Sequence, residues 1–100
     1  MTITAAQARA ARALVQWPRD HVARLAGLEV ALLEAIEQGR AELDATIAER
    51  LQNALESGGA LFIPESDDRG VGVRLKFSSI VVQAIDSWED EGGAVGSDDV

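Results

Sequence analysis

The sequence predicts a mainly α domain of four to five helices, followed by a short β-hairpin and a C-terminal segment. Three observations lead there. Apolar residues recur at helical spacing through the first part of the chain. Helix starts and stops punctuate that run at Thr4, Pro18, Gly27, Gly39, Asp44 and Ser57-Gly58-Gly59. The period then changes to two between Val71 and Phe77. With 100 residues, 47% apolar and 26% charged, the chain suits one modest core. Aromatics make up 4%, so that core is built from Ala, Leu, Ile and Val.

The first helix is expected from Thr4 to Gln16. Thr4-Ala5-Ala6-Gln7 is a capping box, and the Ala-rich stretch after it has high helix propensity. Ala6, Ala10, Leu14 and Trp17 repeat at helical spacing, with Arg9 and Arg12 on the other face. Pro18 ends this helix and opens the next within its first turn. That second, short helix runs to Leu25, with Val22, Ala23 and Ala26 inward, and Gly27 supplies the left-handed stop. A third helix spans Glu29–Gln38 and stops at Gly39. Asp44 caps a fourth, which turns Ile47, Leu51, Ala54 and Leu55 inward and ends at Ser57-Gly58-Gly59.

Ala60–Ile63 is a short apolar run ended by Pro64, and Ser66–Gly70 is turn-rich. Val71, Val73, Leu75 and Phe77 then alternate with Gly72, Arg74 and Lys76, the pattern of a strand that pairs with the first run. The division is a domain over 1–59, a hairpin packed on it over 60–77, an amphipathic segment over 78–90 and a disordered acidic tail over 91–100. Within 79–90, Ile80 or Val81, Ala84, Ile85 and Trp88 fit a short helix; a strand through Ile80–Val82 is the alternative.

Composition narrows the function classes. With no cysteine, disulfides and thiolate metal sites drop out. The N-terminal stretch lacks the apolar core of a signal peptide, and no run is long enough to span a membrane, so the expectation is a cytoplasmic protein. His21, the one histidine, reads as a solvated surface residue. The acids at 86, 89, 90 and 91 lack the spacing of a calcium loop, and Gly70-Val71-Gly72 lacks the Lys-Ser/Thr of a phosphate loop. With no acid-base pair or nucleophile motif, the chain is expected to be neither an enzyme nor a metal- or cofactor-binding protein.

One constellation carries information. Val22, Ala23, Ala26, Gly27, Leu28, Leu33 and Ile36 supply the inward residues, the small crossing residue and the glycine turn of a helix-turn-helix. An Ala-rich four-helix domain can also produce that pattern by chance. The stretches TAAQARAARALVQW (4–17), VARLAGL (22–28), ALFIPE (60–65) and VGVRLKF (71–77) resemble a set of small bacterial Xre/Cro-like regulators over residues 3–77. The resemblance implies four helices plus a hairpin, sequence-specific binding of double-stranded DNA as a homodimer, and a recognition helix at Glu29–Gln38. The segment 71–88, with Trp88, is the expected dimer contact.

Departures from that pattern matter as much. Members usually open the second helix with Ser-Gln, where this chain has Pro18-Arg19. Their recognition helix carries Ser, Thr and Arg outward, where this one offers Glu29, Val30, Ala31 and Glu34. Net charge is −8, divided as −2 over residues 1–58 and −6 over 59–100, which disfavours a polyanionic partner. The candidate DNA-contacting residues are Arg12, Arg19 and Arg40 for phosphate, and Glu29, Val30, Ala31 and Glu34 for the groove. Two readings of the outward helix face stay open. Val30, Ala31 and Leu32 are extra core, or residues 30–35 form an apolar face for a protein partner, making the domain an antirepressor or adaptor.

Overall fold

A computed structural model describes residues 2–77 of the chain. They form α1 (Ala5–Val15), α2 (Arg19–Ala26), α3 (Val30–Glu37), α4 (Ala45–Ser57), β1 (Ala60–Ile63) and β2 (Gly72–Leu75). The expected amphipathic stretch 78–90 and acidic tail 91–100 lie outside the described residues.

Both halves of the Thr4 capping box form: the Gln7 backbone N–H donates to Thr4 Oγ1 at 3.0 Å, and the Thr4 N–H donates to Gln7 Oε1 at 2.9 Å. The same Gln7 side chain has a second task. Its Nε2 donates to the carbonyls of Ile63 (3.2 Å) and Gly72 (2.8 Å), one on each strand. A single carboxamide thus satisfies the helix start and ties it to the end of the hairpin, and it is buried.

The inward face of α1 differs from the expected one. Ala8, Ala11 and Val15 are buried with Gln7, whereas Ala6 and Ala10 are exposed and Leu14 is 37% exposed. In a helix rich in alanine, several faces have nearly equal hydrophobicity, so periodicity alone selects poorly. Polar anchors decide the roll instead: Gln7 must reach the hairpin, and Arg12 turns inward to a partial burial described below. Gln16 closes the helix at φ 62°, a left-handed cap more often filled by glycine. Trp17 follows outside the helix.

Pro18 stands at the N-cap of α2 and not within its first turn. Gly27, at φ 71°, reverses the chain, and the Leu28 N–H returns to the Ala23 carbonyl at 2.8 Å. Ala23 is fully buried where α2 packs against α3 and α4. Only a small side chain fits there. α3 ends through Gln38 and a left-handed Gly39. Asp44 caps α4, accepting from the Ile47 N–H at 2.8 Å, and Ala48, Leu51, Ala54 and Leu55 enter the core.

The strands pair antiparallel with Ala60 opposite Leu75 and Phe62 opposite Val73. Those four residues share the inner face and lie on α1 and α4. The strand is shorter than the alternation suggested: Val71 and Phe77 lie beyond it and are 42% and 46% exposed.

The α4–β1 junction gives a test. A Cβ on Gly58 would lie 2.7 Å from Trp17 Cη2, while one on Gly70 would meet nothing within 4 Å. Gly58→Ala should lower stability by about 1–3 kcal/mol in chemical denaturation. Gly70→Ala should stay within about 0.5 kcal/mol.

Candidate functional site

The α2–turn–α3 corner sets the candidate site, and a buried carboxylate holds the corner. Leu33, Ile36 and Glu37 occupy one stripe of α3 at helical spacing, so Glu37 follows two core residues inward and is 3% exposed. Arg12 of α1 grips it in a fork, with Nε to Oε2 at 2.7 Å and Nη2 to Oε1 at 3.0 Å. Arg19, at the start of α2, adds Nε to Oε1 at 3.1 Å. Arg9 donates from Nη1 to the Glu37 backbone carbonyl at 2.6 Å.

The arrangement answers an electrostatic problem. A carboxylate at a helix C-terminus opposes the helix dipole, and burial removes its water. Burial alone pushes the Glu37 carboxyl up. The hydrogen bonds and positive charges of Arg12 and Arg19 outweigh that and hold it below the usual glutamate range.

The expected phosphate-binding arginines therefore have different roles. Arg12 is engaged at all three guanidinium nitrogens, since its Nη1 also donates to the Trp17 carbonyl at 3.3 Å. It is a structural cation. Arg19 uses Nε alone among the described residues, and its side chain is 34% exposed, leaving both terminal amino groups to point elsewhere. Arg40 is exposed and donates to Gln38 Oε1 at 2.9 Å, while Gln38 Nε2 donates to Glu34 Oε2 at 3.3 Å. Glu34, Gln38 and Arg40 thus form one chain along the end of α3.

At the start of α3, Glu29 is the N-cap but makes no side-chain capping bond. Val30 is 43% exposed and Ala31 is exposed, so neither is extra core; Leu32 is half-buried. α2 also begins without a side-chain cap, on Pro18. The other two helices are both capped, by Thr4 and Asp44. His21 is half-buried, not freely solvated: its ring meets Trp17 edge-on, centroids 4.5 Å apart.

Sequence reasoning missed Glu37 and the bridging role of Gln7. The signal for Glu37 was present: it stands four residues after Leu33 and next to Ile36, on the inward stripe of α3. Among the described residues no helix is long and apolar enough to cross a membrane, and no three His, Cys, Asp or Glu side chains gather to hold a metal. No family model matches the chain, and none of the curated proteins matches it.

The depressed folded-state value fixes a pH dependence. A carboxyl that ionises more readily folded than unfolded adds stability above its unfolded value, about 4.3, and that stability is lost as pH falls through the lower folded value. Glu37→Gln should reduce stability at pH 7 and flatten the acid limb of the stability–pH curve. Urea midpoints measured between pH 7 and pH 3 check this. An acid limb as steep as wild type would contradict it.

Proposed function

We propose that the chain is a helix-turn-helix transcription regulator of the Xre/Cro-like type that binds double-stranded DNA as a homodimer. The supporting observation is the α2–α3 corner, in which Glu37 anchors one end of α3 while the outer side of the helix stays free. α3 enters the major groove with Val30 and Ala31 in its leading turn. Those residues make apolar contacts, as to thymine methyl groups, and Glu29 or Glu34 accepts from cytosine. Phosphates are met by Arg19 at the uncapped start of α2, by Arg40, and by the free backbone N–H groups at the starts of α2 and α3. Arg12 contributes by holding the corner and not by touching DNA.

A second reading has its own support. The exposed side of α3 is apolar and acidic, with no cation on the helix itself. In that reading residues 30–35 bind a protein, and the domain is an antirepressor or adaptor.

Fluorescence-anisotropy titrations at low salt against genomic fragments, including the protein's own promoter, separate the two. DNA binding predicts saturable titrations whose affinity falls steeply with salt. Arg40→Ala should weaken binding and reduce the salt slope by about one unit. Arg19→Ala is read beside a stability measurement because Arg19 also holds Glu37. Flat titrations, with a partner captured by wild type and lost on Val30→Asp, select the second reading. Val30 serves better than half-buried Leu32 because its exposure leaves the fold intact.

A further inference from the structure

An open groove of about 600 Å³ lies between the C-terminal half of α2 and the outer side of α4, lined by Arg24, Leu25, Gly27, Arg50, Asn53 and Ser57. Its chemistry is mixed. Leu25 is 50% exposed, and the buried Ala26 and Ala54 form the floor. Arg50 Nη1 lies 3.9 Å from where a Cβ on Gly27 would stand, so its guanidinium reaches the end of α2, and Arg24 lines the same groove. Among the described residues neither arginine forms an ion pair or a side-chain hydrogen bond. Two like charges beside one apolar strip are a receptor for acids that flank a large apolar side chain.

The chain carries such a segment. All nine Lys and Arg fall within residues 2–77, together with eleven of the seventeen acids. The other six acids are Asp86, Glu89, Asp90, Glu91, Asp98 and Asp99, and Trp88 stands among the first four. The described part of the chain ends close by. The Lys76 N–H donates to the Gly59 carbonyl at 2.8 Å, and the Phe77 ring lies against Gly59, two residues beyond Ser57 of the groove. From Phe77 to Trp88 an extended chain reaches about 35 Å, ample for the groove.

We infer that the Trp88–Glu91 stretch docks in the α2–α4 groove of its own chain, with Trp88 on Leu25 and the carboxylates of Glu89, Asp90 and Glu91 on Arg24 and Arg50. Trp88 adds a cation–π contact beneath a guanidinium. Attachment to the same chain replaces a weak encounter by a high effective concentration. This contact does not depend on what α3 binds.

The chain has no cysteine, so a single nitroxide on Gly92→Cys reports without interference. In the full-length labelled protein, amide signals of Arg24, Gly27, Arg50 and Asn53 should lose most of their intensity, while Asp44 and Ser66 keep theirs. The loss should disappear with Glu89→Gln/Asp90→Asn/Glu91→Gln and, separately, with Arg24→Gln/Arg50→Gln. Unshifted core amides such as Ala11 and Leu33 verify that both variants fold. No selective loss at the groove overturns the proposal. So does loss that persists in the acid-neutralised variant. Equal loss when labelled protein is mixed with isotope-enriched unlabelled protein also overturns it, because the contact then lies between copies.

Discussion

A carboxylate buried at the end of a helix is tolerable only if cations follow it in, and the Glu37 carboxylate brings two arginines, one from each of two other helices, while Arg9 meets its backbone carbonyl. Removing charges from water costs several kcal/mol each, and a buried pair is often no more stabilising than well-packed apolar residues. The consequence of the cluster is therefore chiefly orientational. A fork between planar groups fixes the roll of α3 relative to α1, and the Arg19 contact fixes α2 relative to both. With Leu33 and Ile36 inward and Glu37 locked, Ala31 on the opposite side of the helix has no direction left but outward, while Val30, in the first turn, remains 43% exposed.

The rest of the domain needs such fixing because its core is thin. Alanines at 8, 11, 23, 48, 54 and 60 let backbones approach closely but present little side-chain shape to specify register. Polar contacts with strict geometry supply what interdigitation does not. Gln7 joins α1 to both strands, and Trp17 seats on Gly58 where a larger residue would collide. The hairpin, too small to be stable alone, is held by those contacts and by Phe62 and Val73 on the helices.

Legibility followed the chemistry of each signal. The helix starts at Thr4 and Asp44 and the stop at Gly27 were readable because they rest on local hydrogen bonding and on φ > 0. Val73 and Leu75 were readable because a strand alternates strictly. The inner face of α1 was not, since an alanine helix has nearly degenerate faces and its roll is set by Gln7 and Arg12 acting on residues far along the chain. For the same reason Arg12 looked like a surface cation: nothing local to it announces Glu37, twenty-five residues away. Of the candidate residues at α3, Glu29, Val30 and Ala31 are exposed and Glu34 is half-buried, and what they bind is encoded in surface chemistry that one sequence expresses weakly.

In either reading proposed for α3, presenting that helix to a partner requires the Glu37 cluster to remain closed. The most direct measurement is a double-mutant cycle on stability with Arg12→Ala, Glu37→Ala and the pair. Geometry of this kind predicts a coupling of about 1.5–3 kcal/mol between the two residues, with either single change nearly as costly as both together. Additive losses, with a coupling indistinguishable from zero, would contradict the claim that this ion cluster holds the corner.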